Sequence, residues 1–129
     1  MTDFNFVSKD VVIALHRLQI ERFGGAAGLR DDSMLDSALS RPLNKAVYGC
    51  EDVFEIAAAY LFGLAKNHAF VDGNKRIAIV TAAVFLMDNG YDITASEAEL
   101  YTFVLAVAAG EIDEDGATRF FADFAEPMA

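Results

Sequence analysis

Cations are scarce in this chain: ten Lys and Arg stand against twenty Asp and Glu, a formal net charge of −10 over 129 residues. Such a balance argues against sequence-independent binding of nucleic acid, because phosphate repulsion would have to be overcome. Cysteine is nearly absent. The single thiol, Cys50, makes no internal disulfide and fits a reducing cytoplasm. No Cys/His cluster is present that could hold zinc. The longest apolar run, Ile77 to Met87, falls short of the roughly 20 residues that a membrane span needs. The N-terminus, MTDFNFVSKD, carries acids early and has no basic region followed by an apolar one, so no signal peptide is expected. Repeats, low-complexity tracts and long linkers are also missing, which predicts one domain over residues 1–129.

What remains is an apolar, helical chain. Apolar residues make up 54% of it, too many for disorder. A chain of this length buries about two-thirds of its unfolded surface. The periodicity predicts an all-α domain. Ser8 caps a first helix, Lys9 to Phe23, with Val11, Val12, Leu15 and Leu18 inward and His16 on the exposed face. A short helix over Ser33 to Ser40 turns Met34, Leu35, Ala38 and Leu39 inward and stops at Pro42. Residues 43–51, LNKAVYGCE, break the helical period and predict an extended segment. Asp52 and Glu55 form a capping box for a helix to about Asn67. Further helices are expected from Asn74 to Asn89, from a Ser96–Glu99 capping box to Gly110, and from Asp115 to Ala125. Two of them, Asp52–Asn67 and Asn74–Asn89, are apolar nearly all round and so buried on most sides. About six residues join them, the length of an antiparallel helix connection.

That connection carries more chemistry than a turn needs. It reads HAFVDGNKR, residues 68–76. Taken singly, each residue has an ordinary reading: His68 as a helix-end group, Asp72-Gly73 as a turn, Asn74 as an N-cap, Lys75-Arg76 as a solvated pair. Together they suggest a site. The first N–H groups of a helix have no intrahelical partner, and the macrodipole adds positive charge there. Gly73 would let an anion approach, and Lys75 and Arg76 add full charges, as in other glycine-to-helix phosphate cradles. A carboxylate in such a cradle, Asp72, suits magnesium. His68 is placed to take a proton from a hydroxyl. The set points to transfer of a phosphate-containing group to a hydroxyl.

The stretch resembles the signature of the Fic/Doc family, H-x-F-x-[D/E]-G-N-[G/K]-R, met by His68, Phe70, Asp72, Gly73, Asn74, Lys75 and Arg76 without a mismatch. RFGGAAGLRDDSMLDSALSRP, residues 22–42, is similar to the N-terminal region of its death-on-curing branch. The resemblance implies a compact six-helix fold and the toxin of a type II toxin–antitoxin pair. It implies His68 as general base, Phe70 as the anchor of the loop, and Asp72 as the Mg²⁺ ligand. Gly73 and Asn74 would form the anion hole, with Lys75 and Arg76 on the phosphates of ATP. Residues 43–51 would be the flap that holds the target peptide by strand addition.

AMP-transferring members of the family read H-P-F-x-[D/E]-G-N-G-R-x-x-R, whereas this chain has Ala69, Lys75 and Ile79 at the three differing positions. That pattern matches the branch that phosphorylates translation elongation factor Tu. It implies a kinase, with AMP transfer as the alternative within enzymes and a non-catalytic antitoxin-binding module as the alternative outside them. Some relatives inhibit themselves through a [S/T]-x-x-x-E-[G/N] helix. No Glu here precedes Gly or Asn, so a separate, Phd-like antitoxin with a tail that folds on binding is implied.

Overall fold

A computed structural model describes residues 3–129; Met1 and Thr2, which open the N-terminal segment read above for a leader, lie outside the described residues. Six helices follow one another: α1 (Lys9–Phe23), α2 (Asp32–Val47), α3 (Val53–Asn67), α4 (Asn74–Asp88), α5 (Glu97–Ala108) and α6 (Glu114–Asp123). Two three-residue strands, β1 (Tyr91–Ile93) and β2 (Ala125–Pro127), pair antiparallel with Tyr91 opposite Pro127 and Ile93 opposite Ala125. The helical class is as expected. The strands are too short for an alternating pattern to reveal them.

The chain folds around α3. Ile56, Ala57, Ala58, Leu61 and Leu64 are fully or almost fully buried, and α2, α4, α5 and α6 pack against it. Ala and Gly let the neighbours come close: a Cβ on Gly63 would sit 3.1 Å from the Ala38 carbonyl oxygen of α2. Ile77, Ala78, Ala82, Phe85 and Leu86 of α4 complete the centre, and stacked Phe103 and Phe120 (centroids 3.8 Å apart) join α5 to α6. Among the described residues no helix is long and apolar enough to cross a membrane.

Several expectations need correcting. Helix α2 does not stop at Pro42 but runs on to Val47, so residues 43–47 are helical rather than extended. Proline removes one backbone hydrogen bond. Here Pro42 instead extends the apolar stripe Leu35, Ala38, Leu39, and is buried with it. The end of the helix is then pinned by ions: Lys45 lies 3.3 Å from both Glu55 and Glu114, and Arg41 also pairs with Glu114. Glu55 is therefore not half of a capping box. Asp52 caps α3 through the Phe54 N–H, while Glu55 turns to Lys45 and accepts from the Cys50 thiol at 3.1 Å. The Ser96–Glu99 box forms as expected. On α1, Val12 is buried as expected, but Val11 and Leu18 are exposed and His16 is buried. Met34 is also exposed.

Candidate active site at the start of helix α4

The motif loop joins the C-terminus of α3 to the N-terminus of α4, as the antiparallel pairing requires. His68 ends α3 in the left-handed conformation, at φ 51°, the lone non-glycine residue with positive φ among those described. Such a conformation costs of order 1 kcal/mol or more outside glycine and needs outside support. Arg30 provides it: Nε and Nη2 donate to the His68 carbonyl at 2.9 and 2.6 Å. The side chain of His68 is left exposed at the rim.

Phe70 does anchor the loop, being 2% exposed. The unexpected partner is His16. Its ring stacks on Phe70 with centroids 3.8 Å apart and 14° between planes. Its Nε2 lies 2.7 Å from the Asp72 carbonyl oxygen, so Nε2 carries the donated proton. His16 is thus not the surface residue that an amphipathic reading of α1 predicts; it is 3% exposed, beneath the loop. Residues 24–31 flank the same loop: Arg30 N–H and Asp31 N–H donate to the Ala69 carbonyl at 2.8 and 2.9 Å, and Val71 N–H donates to Gly28 at 3.0 Å.

Each motif residue acts through a different group. Asp72 Oδ1 accepts from Gly73 N–H at 2.7 Å and Oδ2 from Ala26 N–H at 3.3 Å. These backbone bonds, Gly73's first, hold its carboxyl below the usual carboxylate range. The carboxylate is exposed and ionised with lone pairs to spare, which fits a hard divalent cation. Gly73 is required by its φ of 75°; its missing Cβ would face Ile20 and His16 of α1, not the opening. The Asn74 side chain is committed to the loop, accepting from Phe70 N–H at 3.0 Å and donating to its carbonyl at 2.9 Å. Its backbone N–H remains for an anion.

No side chain caps α4. Every other helix is capped by a side chain: Ser8, Asp31, Asp52, Ser96 and Asp113 each accept a first-turn N–H. The uncapped end opens into a cavity of about 170 Å³ bordered by His68, Asp72, Gly73, Lys75, Arg76 and Tyr101. The site therefore gathers the motif residues His68 and Asp72–Arg76 around a polar recess, backed by unpaired helix N–H groups. Arg76 reaches across to α1, where Nη1 lies 3.5 and 3.4 Å from the Gln19 and Gly24 carbonyls. Sequence reasoning missed Tyr101, His16 and Arg30, each brought in from a distant element. Arg30 comes from the loop after α1, His16 from α1 itself and Tyr101 from α5.

The flap assignment does not survive this geometry. Residues 43–51 lie at the opposite end of α3, a helix of 15 residues, so roughly 22 Å from His68. The backbone beside the motif belongs to residues 24–31 instead.

The Fic/DOC family model matches residues 6–86, a span holding α1 to α4 nearly whole and the entire recess except Tyr101. Protein kinase doc of Escherichia phage P1 is 36% identical over 107 residues, covering 82% of this chain and 84% of that protein. Toxin Doc of Mycolicibacterium smegmatis is 46% identical over 76 residues, 57% of this chain and 58% of that one. On the matched span and on the likeness to these two proteins, the chain belongs to the Fic/Doc family.

Proposed function

We propose that this protein is the toxin of a toxin–antitoxin pair and transfers the γ-phosphate of ATP to a Ser or Thr hydroxyl of a translation factor, such as elongation factor Tu. The observation that carries the reading is the uncapped N-terminus of α4, facing a polar recess with His68 at its rim. Unpaired N–H groups, Lys75 and Arg76 attract a polyphosphate, and the charges favour the terminal phosphate, where negative charge is greatest. The target hydroxyl oxygen forms the new bond to phosphorus as the bond to the departing ADP breaks, and its proton passes to the His68 imidazole. Asp72 would hold Mg²⁺ with phosphate oxygens and water, a share of protein ligands usual for that ion. Magnesium so held would offset charge on the phosphoryl group. Lys75 supports the kinase over AMP transfer: its stem fills space that an α-phosphate with its ribose would need. The name of the phage P1 relative, Protein kinase doc, points the same way.

Activity of this kind calls for restraint by a partner. A Phd-like antitoxin, disordered until bound, would supply it in the cytoplasm, since this chain has no self-inhibitory helix motif.

The test is ATP labelled in turn at the α- and γ-phosphates, incubated with a bacterial lysate and this protein. Label should move from the γ position alone. His68→Ala should keep the fold, because the side chain is exposed, and lose about 10² to 10⁴ in rate together with growth arrest. Transfer by a folded His68→Ala protein at the parental rate would overturn the general-base role. Transfer of the α-label would make the protein an AMP transferase.

A further inference from the structure

The imidazole of His68 stands alone at the rim of the recess. Among the described residues it makes no hydrogen bond and no ring contact, although a base is ordinarily oriented by a third group. Its direction is therefore set by its own backbone, at φ 51° and ψ 46°. Helices often end on a residue in this left-handed conformation, and glycine is the usual one. Glycine would relieve the steric cost but would bring no imidazole. The chain keeps the costly residue and supports it from outside.

We infer that Arg30 is a positioning residue for the reaction, aiming the His68 imidazole by fixing the peptide that follows it; the inference rests on the general-base reading above. Both side-chain hydrogen bonds of Arg30 go to one atom, the His68 carbonyl oxygen, from Nε at 2.9 Å and Nη2 at 2.6 Å. The direction of that carbonyl is set by the ψ of His68. A rigid two-pronged donor holds its angle as well as its place, which one mobile donor would not. The guanidinium also springs from a segment already fixed to the loop. Arg30 N–H and Asp31 N–H donate to the Ala69 carbonyl at 2.8 and 2.9 Å, and Val71 N–H donates to Gly28 at 3.0 Å. These three bonds need no Arg30 side chain, so its loss would leave the loop attached and free the His68 peptide alone. Arg30 does not border the polar recess, so it acts on the base and not on the nucleotide. The competing account is a plain helix cap, since cations near a helix end often bond its last carbonyls and add stability only. The two accounts differ in what losing Arg30 costs once His68 is gone.

The test is a double-mutant cycle on the purified full chain, with a desalted bacterial lysate as acceptor and ATP carrying whichever label the parent transfers. Arg30→Ala should lower the rate at saturating ATP about tenfold, as a misaimed reactive group does, and leave half-saturating ATP within about twofold. In the His68→Ala background the same change should alter the residual rate by less than about twofold. Arg30→Lys, which keeps the charge and one donor, should lose about threefold, half the effect on a logarithmic scale. That loss too should vanish without His68, so the Lys variant decides the matter if Arg30→Ala does not fold. A parental rate in Arg30→Ala, an equal loss in both backgrounds, or a change in half-saturating ATP alone would overturn the positioning role. A parental rate in His68→Ala would instead remove the general-base reading, and Arg30's role with it.

Discussion

His16 touches the reactive loop at two places, and the two contacts do different work. The ring stack fixes the Phe70 side chain, while the Nε2–H bond holds the Asp72 carbonyl and so the plane of the Asp72–Gly73 peptide. That peptide carries the Gly73 N–H which orients the Asp72 carboxylate. His16 is a positioning residue on this reading, acting through the loop and never on the substrate. His16→Phe keeps a ring to stack and removes the donor. It should lower the transfer rate about tenfold, since small misplacements of a reactive group are costly, while KM for ATP changes little. His16→Gln can restore a donor near the Nε2 position and should recover much of the rate. Steady-state kinetics on the three proteins decides the matter: a parental rate in His16→Phe would remove the positioning role.

At the scale of elements, the tension is between local signals and tertiary packing. Helices α1, α3 and α5 are legible in the sequence because capping residues and apolar positions agree there, and α4 by its apolar run alone. The motif is legible because its residues are contiguous. Pro42 misleads because its local cost is real, yet Leu35, Ala38, Leu39 and Pro42 continue one apolar stripe, and burial against α3 outweighs one missing backbone bond. His16 and Tyr101 are illegible for another reason. Their roles depend on which face of α1 or α5 meets the start of α4, and neither helix declares that face by composition alone. Helix α4 keeps a local conflict of its own. Thr81 is fully buried and its hydroxyl has no partner among the described residues. An orphaned hydroxyl costs about 1–3 kcal/mol relative to an apolar group of the same shape. Thr81→Val should therefore raise unfolding stability by about 1 kcal/mol, with transfer unchanged, as read from denaturant melts. A loss of stability would mean that the hydroxyl is satisfied in solution.

Across the whole molecule, α4 separates two unlike ends. Its N-terminus faces the open site, and its C-terminus is where residues 4–6 and β2 are tied down. Asn5 exchanges hydrogen bonds with Asn89 and donates to the Asp88 carbonyl, Phe4 and Phe6 pack on Phe85, and β2 pairs with β1 just beyond the helix. Tyr60 links this end to the core: its hydroxyl accepts from Val7 N–H at 3.0 Å and donates to the Val7 carbonyl at 3.3 Å. Burial pushes its hydroxyl up from 10.0 to about 12. The native protein therefore keeps a proton that the unfolded chain releases above about pH 10. Stability from this group is intact below that pH and falls as pH rises towards about 12, by about 2–3 kcal/mol in all. Tyr60→Phe removes the titration and also leaves the buried Val7 N–H without its partner. It should be less stable than the parent by about 1–3 kcal/mol at pH 7, yet lose less between pH 10 and 12, so that the two stability curves converge. Denaturant unfolding of both proteins across pH 7–12 measures this, and parallel curves would show that alkaline loss arises elsewhere in the molecule.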